Sequence, residues 1–122
     1  MSPRDASDPA DRPDALDAGH LQELRRGTVV LASLLTLREP GYGYALLEHL
    51  ERAGIEVEAN TLYPLLRRLE TQGLLSSEWN TEESRPRKFY RTSTEGEALA
   101  ARLLEESRRI TDALVRLAEE GA

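Results

Sequence analysis

The chain has 122 residues, 31 % of them charged and 39 % hydrophobic, with 22 acidic against 16 basic side chains and a net charge of −6. That length suits one small domain with a helical arm, and the modest apolar share suits a thin core or an apolar surface kept for a partner. The lack of cysteine excludes disulfides, thiolate catalysis and cysteine zinc sites, two histidines exclude a multi-histidine metal centre, and the negative charge excludes indiscriminate coating of nucleic acid.

No stretch approaches the roughly 18 consecutive apolar residues of a membrane span, and the N-terminal MSPRDASDPADRPD has no apolar signal core, so a cytoplasmic protein without membrane attachment is expected. Residues 1–18 hold Pro3, Pro9 and Pro13, aspartates at 5, 8, 11, 14 and 17, and almost no apolar side chain; this composition predicts a disordered acidic tail. From Gly19 to Arg38 the pattern becomes helical, with Leu21, Leu24, Val30 or Leu31, Leu34 or Leu35, and Leu37 at spacings of three and four. Thr28–Leu37 is apolar almost all round, which predicts burial on more than one side. Glu39-Pro40-Gly41 ends the helix, because proline disfavours a helical residue before it.

A second helix is predicted from Tyr42 to Arg52, with Tyr44 or Ala45, Leu47 and Leu50 on its apolar face and Gly54 at the C′ position. Ile55-Glu56-Val57 forms an extended link. A third helix follows from Ala59 to Gln72, burying Leu62, Leu65, Leu66 and Leu69, with a local distortion expected at Pro64. The period then changes: Leu74–Asn80 and Arg87–Ser93, with Trp79, Phe89 and Tyr90, read as a two-stranded hairpin around the polar tip Thr81–Pro86. A long helix is predicted from Thr94 to Glu119, capped by Ser93 or Thr94. Its Leu103, Ile110 and Leu117 lie seven residues apart, Leu99, Ala113 and Leu114 flank that seam, and Glu106 interrupts it. Nothing else in the chain is left to cover the seam, so a two-fold homodimer through the first and last helices is expected.

The order helix, helix, helix, hairpin, helix permits a helix-turn-helix with the hairpin as its wing. On the third helix the outward stripe is Asn60, Tyr63, Pro64, Arg67 and Thr71, with Thr61 and Arg68 on its shoulders, and no acid falls between Ala59 and Leu69. Such side chains hydrogen-bond base edges or phosphates. Arg85, Arg87, Lys88 and Arg91 form a second acid-free run in the hairpin, although Glu78, Glu82 and Glu83 precede it. A basic wing of this kind suits a DNA backbone or minor groove. Tyr42 and Tyr44 either pack or touch phosphate, Arg25 and Arg26 either meet DNA or pair with acids in the dimer, and His49 has no expected catalytic role. No nucleophile–base pair, phosphate loop or metal-ligand spacing is visible, so no enzyme, cofactor or metal is expected.

The fragments Arg26-Gly27-Thr28, Gly41-Tyr42-Gly43-Tyr44, Thr61-Leu62-Tyr63-Pro64, Arg68-Leu69-Glu70 with Gly73-Leu74, and Arg85 to Arg91 with Thr94-Glu95-Gly96 follow one another in an ordered series. Over about residues 24–117 this series resembles the PadR family of bacterial transcriptional regulators, in its compact branch with a short last helix. The resemblance implies a mainly α winged helix-turn-helix with a β wing over 19–93 and a dimerisation helix over 94–122. It implies recognition-helix contacts by Thr61, Tyr63 and Arg67 and wing contacts by Arg85, Arg87 and Lys88. It also implies a dimeric repressor of promoter DNA, for which the two-fold predicts an inverted-repeat operator with half-sites about one helical turn or a multiple apart. A small-molecule effector fits this picture, but no pocket for one is identifiable in the sequence. Three departures stand out: Ser84-Arg85 replaces a glycine pair before the basic run, Thr92 replaces an apolar residue, and the only tryptophan, Trp79, lies on the hairpin rather than the last helix. The alternative is a winged helix used for protein–protein contact alone, which would not need the basic stripe.

Overall fold

The computed structural model describes residues 15–82 and 84–121. Its elements are α1 (Ala15–Thr36), β1 (Gly41–Tyr42), α2 (Gly43–Arg52), α3 (Ala59–Thr71), β2 (Leu75–Asn80), β3 (Arg87–Thr92) and α4 (Thr94–Glu120). Helix α1 begins at Ala15, four residues earlier than the apolar pattern marks, and the rest of the expected acidic tail lies outside the described residues. No helix among the described residues is long and apolar enough to cross a membrane.

The hairpin is one part of a larger sheet. The two-residue strand β1 joins it, giving the antiparallel order β1-β3-β2, with Tyr42 opposite Phe89 and Gly41 opposite Tyr90. Sequence periodicity misses β1 because two residues cannot display an alternation. β2 and β3 pair from Leu75 opposite Thr92 to Asn80 opposite Arg87. The core lies where α1, α2 and α3 meet this sheet, around the fully buried Leu34, Leu37, Leu50, Leu62, Leu66 and Leu69.

Two glycines end helices as the sequence requires. Gly54 and Gly73 have φ of 90° and 80°. Ile55 N–H donates to Leu50 O after α2, and Leu74 N–H donates to Leu69 O after α3, each closing a Schellman turn. Helix α3 runs unbroken through Pro64. The ring removes the bond to the Asn60 carbonyl, on the solvent side, where water can replace it. Thr92, in place of an apolar residue, is buried and satisfied: its hydroxyl donates to Leu34 O at 2.7 Å and its N–H to Leu37 O at 2.8 Å. It thereby ties the sheet to the end of α1. Ser93 caps α4, accepting from Gly96 N–H and donating to Gly73 O.

Both long helices run past the core. Every residue of α1 from Ala15 to Thr28 is exposed, including Leu16, Leu21 and Leu24. Beyond Leu104, α4 exposes Ile110, Leu114, Val115 and Leu117, with Ala113 half-buried.

Candidate nucleic-acid interface

A helix turns about 100° per residue, so burying Leu62, Leu65, Leu66 and Leu69 fixes which side of α3 is free. Asn60, Pro64, Arg67 and Thr71 stand farthest from the core, and all four are exposed. Thr71 Oγ1 donates back to Arg67 O at 3.0 Å. Thr61 and Arg68 form one flank, also exposed, facing α1. Tyr63 and Glu70 form the other flank and are half-buried. Tyr63 is therefore less outward than its spacing indicates: its ring lies against Gly43, where an added Cβ would come within 2.7 Å of Tyr63 Cε1. The glycine between the two tyrosines lets α2 start beside this ring.

Strand β3 divides the basic run by alternation. Arg87 and Arg91 share one face of the sheet with Phe89 and Tyr42, while Lys88 shares the opposite face with Tyr90 and Ser77. On the first face Tyr42 and Tyr44 stack with centroids 5.8 Å apart, and Phe89 meets Tyr42 edge-on. Arg87 donates to Tyr44 Oη at 2.8 Å and its guanidinium lies 5.1 Å from that ring's centroid. Asn80 donates to Tyr42 Oη at 2.7 Å. Both phenols thus accept a bond from the wing and keep their own O–H for another acceptor. This aromatic joint packs Tyr42 and Tyr44 against the wing. The Gly41-Tyr42-Gly43-Tyr44 run was its only sequence signal, and its partners are 38 and 43 residues distant.

Lys88 does not stand with the other wing cations. Its Nζ lies 3.1 Å from Glu70 Oε1 and 5.4 Å from the Tyr90 ring centroid. Glu70 also accepts from Ser77 Oγ. That hydroxyl, with Lys88 behind it and against opposing desolvation, holds the Glu70 carboxyl below its ordinary pKa. Arg85 is exposed in the wing turn and Arg91 on the outer face.

The seam residues of α4 divide as well. Leu99 packs on the chain's own core, Leu103 and Ala113 are half-buried, and Ile110, Leu114 and Leu117 face solvent. Glu106, which interrupts the seam, pairs with Arg109 one turn on. An open groove of about 1010 Å³ runs between the first half of α1 and the α2–α3 side, lined by Arg25, Arg26, Val29, Val57, Thr61 and Arg68 among others. Three separate stretches of the chain build it, so no local pattern announces it. Arg26 pairs with Glu23 at 3.1 Å. Among the described residues no group of three or more metal-ligating side chains converges.

A helix pair with an exposed second helix, followed by an antiparallel wing, defines a winged helix-turn-helix. The Transcriptional regulator PadR-like family profile matches residues 30–102, more than half of the chain. The chain belongs to this PadR-like family of transcriptional regulators. It is similar to a PadR family transcriptional regulator from Eggerthella lenta DSM 2243, at 49 % identity and TM-score 0.81, over 87 % of this chain and 95 % of that one. It is 41 % identical over 75 residues to the transcriptional regulator Rv3488 of Mycobacterium tuberculosis, covering 62 % of this chain and 66 % of the relative, just under two thirds. The fold is also similar to that of Bacillus subtilis PadR in its crystal structure with operator DNA, at 20 % identity and TM-score 0.59, over 63 % of this chain and 45 % of that one.

Proposed function

We propose that this chain is a cytoplasmic, homodimeric repressor that binds an inverted-repeat operator in double-stranded DNA. Asn60, Thr61, Pro64, Arg67 and Arg68 enter the major groove, with Tyr63 at the groove's edge, while Arg85 and Arg87 reach the backbone from the wing. Residues 19–93 form the DNA-binding domain and 94–122 the dimerisation helix. The observation that carries this reading is the exposed, acid-free outward side of α3 beside a cationic wing, in a chain with six more acids than bases. A free acid-poor helix face next to a wing gives base readout and backbone positioning together. A protein of similar fold, Bacillus subtilis PadR, has a crystal structure in complex with operator DNA, which supports DNA as the partner. The dimer is supported by the uncovered Leu16, Leu21, Leu24, Ile110, Leu114, Val115 and Leu117 on the two helices that outrun the core. Release by a small-molecule effector completes the reading, and thermal-shift screening of flat aromatic and cationic compounds tests it.

The deciding experiment is a mobility-shift titration with the DNA upstream of the protein's own gene, against a scrambled duplex of equal length. A shift at a thousandfold or so lower concentration on the cognate duplex is expected. Equal affinity for both would overturn sequence specificity, and no shift at all would turn the function toward protein–protein contact.

A further inference from the structure

Glu70 sits at the end of α3 on the flank that faces the sheet, and its two carboxylate oxygens go to two different strands. Oε2 accepts from Ser77 Oγ on β2, and Oε1 is 3.1 Å from Lys88 Nζ on β3. The pair is partly shielded, with side-chain exposures of 27 % for Lys88 and 32 % for Glu70. Lys88 additionally lies over the Tyr90 ring of its own strand. It is the only lysine among sixteen basic residues. A compact ammonium suits this place: it meets one carboxylate oxygen and leaves the other to Ser77, where an arginine fork would take both.

We propose that Glu70 is a positioning residue that locks the wing to α3 through Ser77 and Lys88, and that Lys88 serves this lock rather than a DNA phosphate. The inference rests on the DNA-reading function above. An operator requires α3 and the wing at one fixed separation, and a pre-set wing loses less freedom on binding. Non-specific attachment to the phosphate backbone tolerates a wing that swings. Loss of the lock therefore lowers operator affinity and leaves non-specific affinity in place. The β1–β3 pairing and the Asn80–Tyr42 and Arg87–Tyr44 bonds also restrain the wing, but they act on the opposite face and at the strand's other edge and reach β1 and α2 rather than α3, so they cannot replace it.

The test has two arms, with Glu70→Gln, Ser77→Ala, Lys88→Ala and the exchange Glu70→Lys with Lys88→Glu. The first arm needs no DNA. Amide hydrogen exchange of β2 and β3 should quicken several-fold in the three single variants, with the α1 and α2 core amides unchanged. Fluorescence of Trp79, the chain's only tryptophan, 62 % exposed and opposite Lys88 in the ladder, should change with it. In the second arm the single variants should bind operator about tenfold more weakly and a scrambled duplex within about twofold of wild type, with the salt slope unaltered. The exchange should recover operator binding. Unchanged wing exchange in Glu70→Gln overturns the lock. Equal loss on both duplexes in Lys88→Ala, with the slope reduced by about one per protomer, places Lys88 on phosphate and overturns its assignment. Should wild type bind no duplex, the DNA-reading function fails, and the exchange arm still decides whether the lock exists.

Discussion

Gly96 gives the sharpest stability test, because helix propensity and packing there point in opposite directions. It occupies the first turn of α4, and its N–H donates to the Ser93 cap at 3.0 Å. The Leu74 carbonyl, which accepts from Ser93 N–H at 3.0 Å, lies directly beneath it. A Cβ added at Gly96 would overlap that carbonyl oxygen and stand 2.7 Å from Thr92 Cγ2. Relief requires α4 to lift by about an ångström to restore ordinary contact distances, which breaks the Ser93–Leu74 bond and loosens the cap. Overpacking costs about 1–3 kcal/mol, and the cap and the hydrogen bond about 1 kcal/mol each. The gain in helix propensity from glycine to alanine returns only about 1 kcal/mol. Gly96→Ala is therefore expected to destabilise by about 2–4 kcal/mol, a fall in melting temperature of about 10–20 °C. Thermal melts and urea titrations at one fixed protein concentration measure it, the concentration being held because the proposed dimer would contribute to apparent stability. A variant that melts within about 2 °C of wild type, or above it, would show that propensity wins and that the contact beneath α4 is not there.

Three further outcomes are expected. Ile110, 47 % exposed on α4, lies at the middle of the apolar seam, so Ile110→Asp should weaken self-association at least about a hundredfold in sedimentation, by desolvating an unpaired carboxylate on each copy; a variant that stays dimeric places the interface elsewhere. Arg67→Ala should lose roughly 1–3 kcal/mol on operator DNA and relax preference at one base position per half-site, whereas Arg85→Ala should weaken operator and scrambled duplexes alike; binding selection on randomised duplexes separates them. The depressed Glu70 pKa, caused first by Ser77 and then by Lys88, contributes stability that is whole above the ordinary carboxylate range and fades as pH falls through the lowered value. The stability gap between wild type and Glu70→Gln, from urea titrations, should accordingly be widest near neutrality and narrow as pH falls below the ordinary carboxylate range; a gap that widens on acidification would contradict the pairing.

The helices were legible because their signals are local. The apolar stripe Leu62, Leu65, Leu66 and Leu69, Gly73 past its end and the Ser93 cap each act over one or two turns, and the structure places all of them as expected. The start of α1 differed because Ala15–Ala18 offers good helix formers without apolar periodicity. β1 was hidden by its length, and its existence depends on a distant partner strand, Gly41 pairing with Tyr90 and Tyr42 with Phe89. In the site, the freedom of Asn60 and Arg67 followed from the buried stripe alone. The fate of Lys88 did not. Its neighbours Arg85, Arg87 and Arg91 mark a cationic run, but strand alternation turns Lys88 to the other face, and only the fold brings Glu70 within 3.1 Å of it. Composition along a strand reports charge, and the pleat decides where that charge is spent.

The same separation between local signal and global placement bears on how so acidic a chain would serve the DNA-binding function proposed above. Acids are absent from the outward side of α3, while α4 carries Glu95, Glu97, Glu105, Glu106, Asp112, Glu119 and Glu120. The acidic α4 packs chiefly against α1, and with six more acids than bases in the chain the proposed DNA binding would draw little on long-range attraction and rest on short-range contacts. The arm is also the part least able to stand alone: fourteen exposed residues of α1 and the outer half of α4 are near the length at which isolated helices are marginal in water. In the proposed dimer their ordering and their association are one equilibrium. For the proposed dimer, operator occupancy should depend on protein concentration through both dimer formation and binding, and should rise more steeply than a single-site isotherm across the concentrations where the dimer forms.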